Sequence, residues 1–189
     1  RTPRGVLLDS LQLTSAGKVL DLQGPAMVRW SAEEGLEVAN LVLTDRSDPL
    51  AYLRVDGTLP PEGDTDLRGE IRRLDLGFVQ GLIPNSPDLS GIINVDFILE
   101  GPTDDPRFFA QGYGTAIEYE GVLVDSAAFS ANYIQQRMSG FATAWQGVVE
   151  VASAEVEIPM QPSVSDGTPS FELLREQEMQ ASLHADSLP

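Results

Sequence analysis

The strongest constraint on this chain is a period of two. Ile93, Val95, Phe97 and Leu99 alternate with Asn94, Asp96 and Glu100. Val156, Ile158 and Met160 alternate with Glu155 and Glu157, and Leu53 and Val55 with Arg54 and Asp56. Met179, Ala181 and Leu183 alternate with Gln180, Ser182 and His184. Successive side chains of a strand point to opposite faces, so each run builds a strand with one dry face and one wet face. Turn signals punctuate the runs at Asp56-Gly57, Glu62-Gly63-Asp64, Glu100-Gly101-Pro102, Gln111-Gly112, Glu120-Gly121 and Asp166-Gly167. Many short strands of about 8 residues, joined by turns, predict antiparallel meanders.

Two places break the parity. Leu36 and Val38 give way to Leu41 and Leu43, and Ile71 gives way to Leu74 and Leu76. One extra residue in a strand, a β-bulge or bend, restores the apolar side chains to the same face. One segment has helical spacing instead: Phe78, Val79, Leu82 and Ile83, stopped by Pro84 and Pro87, predict a short amphipathic helix. The chain also resembles itself. Leu53-x-Val55-x-Gly57 parallels Phe97-x-Leu99-x-Gly101, and Leu67, Ile71 and Leu76 parallel Met179, Leu183 and Leu188. This divides the sequence into residues 1–84, the end of one β-module with a short terminal helix, and residues 85–189, a following module that is cut short. The chain is expected to be a piece of a longer polypeptide.

Charge limits the partners. The net charge is −17 with a pI near 4.2, which repels phosphate backbones and excludes nucleic acid as a partner. It also disfavours broad electrostatic docking on anionic membranes, while keeping a chain with 42% apolar residues soluble. There is no cysteine, so there is no disulfide and no thiolate chemistry. Asp64, Asp66, Asp104 and Asp105 offer carboxylates, but no loop has regular calcium-ligand spacing, and solvated turns account for them. His184 is the only histidine. It falls on the polar side of its strand, and no G-x-S-x-G motif accompanies it. Gly112-Tyr113-Gly114 lacks the third glycine and basic residue of a nucleotide loop and predicts a bend between strands. No catalytic, metal or cofactor site is expected, and the protein is not expected to be an enzyme. Trp30 and Trp145 suit either core or rim.

The order of motifs from Leu89 onward resembles the TamB-like proteins of the AsmA superfamily, bacterial relatives of bridge-like lipid transfer proteins. Leu89-Ser90-Gly91-Ile92-Ile93-Asn94-Val95-Asp96-Phe97-Ile98-Leu99-Glu100-Gly101 is similar to a strand of that family, and Pro106-Arg107-Phe108-Phe109-Ala110-Gln111-Gly112 to the strand after it. Tyr119 to Val124, Met138 to Phe141 and Val156 to Met160 continue the pattern, and Leu76 to Pro84 resembles the family's short inter-module helix. The resemblance implies an all-β fold: an elongated, curved or folded-over antiparallel sheet whose apolar groove takes phospholipid acyl chains. It further implies a parent protein anchored at the inner membrane of a diderm bacterium and crossing the periplasm, which carries phospholipid between the inner and outer membranes or assists outer-membrane protein assembly, and an outer-membrane barrel partner of the Omp85 type. On this reading Leu53, Val55, Val95, Phe97, Leu99, Ile117, Val156, Ile158 and Met160 line the groove. Phe78, Val79, Leu82 and Ile83 form the inter-module helix. Two other readings compete. One is a purely structural β-repeat, a spacer or surface fibre with a closed core. The other is a β-helix enzyme acting on polysaccharide, which needs carboxylates clustered with aromatic platforms; aromatics are only 7% of the chain, and no such cluster is visible along the sequence.

Overall fold

A computed structural model describes residues 4–31, 33–81, 88–165, 168–173 and 178–185. The strands are β1 (Arg4–Leu8), β2 (Gln12–Ser15), β3 (Lys18–Leu22), β4 (Ala26–Ser31), β5 (Gly35–Asp45), β6 (Tyr52–Leu59) and β7 (Asp64–Asp75). A helix, α1 (Leu76–Gln80), follows. Then come β8 (Leu89–Pro102), β9 (Arg107–Tyr119), β10 (Val122–Ile134), β11 (Arg137–Gln146), β12 (Val149–Ser165), β13 (Thr168–Leu173) and β14 (Gln180–Ala185). All join one open, curved antiparallel sheet, as the alternation predicts. From β5 to β12 each strand pairs with its neighbour in sequence. The sheet forks at both ends: one edge of β5 is shared by β3 and β4, and one edge of β12 by β13 and β14. The β7–β8 pair runs from Asp64↔Pro102 to Asp75↔Ile92, so the sheet is continuous between residues 1–84 and 85–189. The module boundary expected from Pro84 falls outside the described residues.

Both parity slips are β-bulges. The β5–β6 register shifts between Val38 and Leu41, and the β7–β8 register between Ile71 and Leu74. Each holds a non-glycine residue in the left-handed region, Asn40 at φ 58° and Arg73 at φ 50°. The amide that the bulge removes from the ladder is satisfied by the next strand. Asn40 N donates to Asp56 Oδ1 at 2.7 Å, and Arg73 N donates to Asn94 Oδ1 at 3.0 Å. A third shift, between Ser90 and Ile92 opposite Ala116 (φ 49°), carries no parity signal in the sequence.

Two of the expected turns are strand interior. Gly57 lies within β6 and Gly112 within β9, so Gly112-Tyr113-Gly114 is no bend. The strands are correspondingly longer than 8 residues: β8 has 14, and β9 and β10 have 13 each. Glycine here does not interrupt the strand; it makes room for a neighbouring strand's atoms. The real hairpin turns include Glu120-Gly121, as expected, and also Ala16-Gly17 and Gln135-Gln136, all with positive φ at both residues, the condition for a two-residue turn that follows the sheet's twist. Asp166-Gly167 lies outside the described residues.

The core sits at one end of the sheet. Leu20, Leu43, Leu74 and Phe78 are buried together, with Leu11, Leu13, Leu53, Ile71, Val79 and Ile93 packed around them. They come from the β2–β3 hairpin, from β5 to β8 and from α1. Asp75 caps α1, its carboxylate accepting from Gly77 N at 2.8 Å. The hairpin is tied down by Asp21, which accepts from Arg46 Nε at 2.8 Å, Arg46 Nη2 at 3.0 Å and Gln12 Nε2 at 2.8 Å. The Arg46 hydrogen bonds, then that of Gln12, hold the Asp21 carboxyl below its ordinary 3.8. The folded state therefore binds fewer protons here than the unfolded chain. Its advantage is complete above the ordinary carboxylate value and is lost as pH falls through the depressed one. In urea titrations the stability gap between the native chain and Asp21→Asn should be constant at neutral pH and close as pH drops below about 4. A gap independent of pH would show that the ion pair contributes nothing.

Candidate functional site: an apolar face across eight strands

Opposed residues of an antiparallel pair point to the same face, so the register traces three ladders from β5 to β12. The first runs Leu43, Leu53, Ile71, Val95, Gly112, Phe129, Ala142, Ala154. The second runs Leu41, Val55, Gly69, Phe97, Ala110, Ala131, Gly140, Val156. The third runs Val38, Gly57, Leu67, Leu99, Phe108, Tyr133, Met138, Ile158. No charged residue occurs in any of them. The lone hydroxyl belongs to Tyr133, which is buried; burial is the main cause that raises its phenol above the ordinary 10.0 and keeps it neutral.

Glycine and alanine are concentrated on this face, and large side chains lie across them. A Cβ at Gly69 would stand 2.0 Å from the Phe97 ring, one at Gly112 would stand 2.3 Å from the Phe129 ring, and one at Gly114 would stand 2.7 Å from Ile117 Cδ1. Small residues on an inner face relieve the crowding that curvature imposes, so this is the face toward which the sheet can bend.

The register therefore brings Leu53, Val55, Val95, Phe97, Leu99, Val156 and Ile158 into the three ladders, and Ile117 joins them through its contact over Gly114. Met160 continues the parity of Ile158 in β12. All nine are half-buried: none is sealed and none is fully exposed. Among the described residues the helix covers one end of the face. Phe78 is buried in the core and Val79 packs against it; Leu82 and Ile83 lie outside the described residues.

The opposite face is wet. It carries Arg54 with Asp56, Arg68 with Asp66, Arg107 with Glu100 and Arg137 with Glu157 as ion pairs, exposed pairs that add little stability. His184 is exposed on this side. Among the described residues no cluster of His, Asp or Glu could hold a metal ion, and no helix is long and apolar enough to cross a membrane.

The wet face also holds a feature that sequence reading misses, a cleft of about 570 Å³ over β8 to β11. Tyr113, Phe141 and Trp145 line it with Arg72, Asp96 and Gln111. These residues lie far apart in sequence, and only the register assembles them: Asp96↔Gln111↔Ser130↔Phe141 is one row of opposed residues and Tyr113↔Ala128↔Thr143 the next. The alternation assigns only Asp96 to the wet face; the others, and their convergence, could be found only by pairing β9, β10 and β11 correctly. Comparison of the chain with protein-family models, with curated proteins and with solved structures gives no match to any of them.

Proposed function

We propose that this chain is a segment of a lipid-conducting envelope protein, in which the apolar face holds phospholipid acyl chains between the membranes of a diderm bacterium. The observation that carries this reading is the set of three uncharged ladders spanning eight strands, covered, among the described residues, at one end. Seven strand spacings of about 4.8 Å make a path of roughly 34 Å, and three ladders make it roughly 14 Å wide. A bilayer's hydrocarbon is about 30 Å thick, so the path is long enough for two tails end to end. Acyl chains need a dry surface and no hydrogen bonds, and each CH2 removed from water contributes about 0.8 kcal/mol. An inner-membrane anchor and an outer-membrane barrel partner belong to the same proposal and rest on the family resemblance.

The second reading, a structural spacer, is favoured by the Phe97 and Phe129 rings, which fill glycine notches on the same face and make it partly self-packed. Native mass spectrometry of the chain, purified without detergent from a phospholipid-containing host, separates the two. The lipid reading expects phospholipid adducts that organic extraction removes, and uptake of a phospholipid with a fluorescent tail. A chain that carries no adduct and takes up no labelled lipid is a spacer.

A further inference from the structure

The wet-face cleft has a construction of its own. The β10 side chains that line it from this face are small, Ala128 and Ser130. The strands on either side carry large rings, Tyr113 on β9 and Phe141 and Trp145 on β11. Two strand spacings separate these walls, about 10 Å, over a low floor. Tyr113 is 48% exposed and Phe141 51% exposed, so about half of each residue faces solvent.

The β7–β8 side of the cleft is polar and fixed in place. Arg72 donates to the carbonyl of Ile71 at 2.9 Å, to that of Val95 at 3.2 Å and to Asp96 Oδ1 at 2.6 Å, and lies 2.9 Å from Glu70 Oε1. Tyr52 donates to that same Glu70 oxygen at 2.8 Å. The guanidinium is thus pinned, and its charge is matched by two carboxylates. Asp96 and Gln111 sit beside it as opposed residues.

This chemistry selects a ligand class. An anion would find Arg72, the one cation among the described lining residues, already paired, in a chain of net charge −17. A wholly apolar ligand would have to desolvate Asp96 and Arg72 without replacing their hydrogen bonds. A neutral ligand with one apolar face and a polar rim meets both demands. It can lie on amphipathic rings while a few placed amide, carboxylate and guanidinium groups fix its orientation. We propose that the wet face binds a neutral saccharide, stacked against Tyr113, Phe141 and Trp145 with its hydroxyls directed to Asp96 and Gln111. The site is independent of the apolar face and stands whether or not that face holds lipid.

Trp145 supplies the readout. The chain has two tryptophans, and the other, Trp30, is 67% exposed on β4; Trp30→Phe leaves Trp145 as sole emitter. Titration of that variant with neutral cello-, malto- and chito-oligosaccharides should give a saturable emission change for at least one, with a dissociation constant near or below about 1 mM. Tyr113→Ala and Phe141→Ala should each weaken that binding about tenfold or more, with a small change in thermal midpoint, because about half of each residue is exposed. Gln111→Ala, which removes only a rim amide, should weaken it as well and serves if a ring variant melts early. The proposal falls if no saccharide saturates by about 10 mM, if the variants that fold bind as the parent does, or if a proline-rich peptide saturates the site where no saccharide does.

Discussion

Gly57→Ala is expected to cost about 2–6 kcal/mol of unfolding free energy. Two penalties add. Gly57 has φ 133°, a conformation that costs an L-residue about 1–3 kcal/mol. Its new Cβ would also stand 2.0 Å from the carbonyl oxygen of Asp66 and 2.7 Å from Leu67 Cα. Those are backbone atoms of β7, so relief requires separating β6 from β7, and overpacking of this kind costs about 1–3 kcal/mol more. Two controls divide the sum. Gly63 has φ 109° but open space around its Cβ position, so Gly63→Ala should show the conformational part alone. Gly69→Ala meets the far end of the Phe97 ring, and Phe97→Leu should rescue it, whereas no side-chain change rescues Gly57→Ala. Urea denaturation measures all three; a Gly57→Ala loss below about 1 kcal/mol would mean that β6 and β7 are not paired in this register.

Phe97→Asp and Ile158→Asp should each reduce retained phospholipid at least tenfold, while Phe97→Leu leaves it unchanged. Both positions lie in the ladders, one near the middle strand and one at β12, and both are half-buried. A carboxylate there must stay hydrated, which interrupts the dry path for an acyl chain on either side of it. The stability cost is smaller than at a sealed site, because the carboxylate can turn toward the open side of the face. Retention is read from adduct intensity in native mass spectra and from uptake of a labelled lipid, with circular dichroism to show that the sheet persists. Folded Asp variants that hold as much lipid as the parent would remove the apolar face from the function.

Much of the sheet is legible in the amino-acid sequence alone. Alternation at Leu53–Val55, Val95–Leu99 and Val156–Ile158 assigns those side chains to one face, because in a strand parity alone decides the face. The slips after Val38 and after Ile71 are legible for the same reason, since an inserted residue is the only local way to recover parity. The bulge at Ala116 is not, because Gly112 and Gly114 leave no apolar parity to break. Glycine misleads at Gly57 and Gly112: as local signals they resemble turns, and only the neighbouring strand reveals that Phe129 or the Asp66 carbonyl occupies the space of the missing Cβ. The cleft is hidden for a deeper reason. Tyr113, Phe141 and Asp96 have no shared sequence signature; their meeting depends on the turns at Glu120-Gly121 and Gln135-Gln136, and the second of these carries no glycine to announce it.

The meander from β5 to β12 has one more consequence, for how such a chain can change in evolution. Each strand from β6 to β11 bonds only to the strand before it and the strand after it in sequence. Gain or loss of a whole hairpin would lengthen or shorten the apolar path by about 10 Å and leave every other pairing intact. Gain or loss of a single strand would reverse the polarity of everything beyond it. The length of this apolar face is thus a counted quantity, adjustable in two-strand steps by duplication, with no core to be redesigned each time.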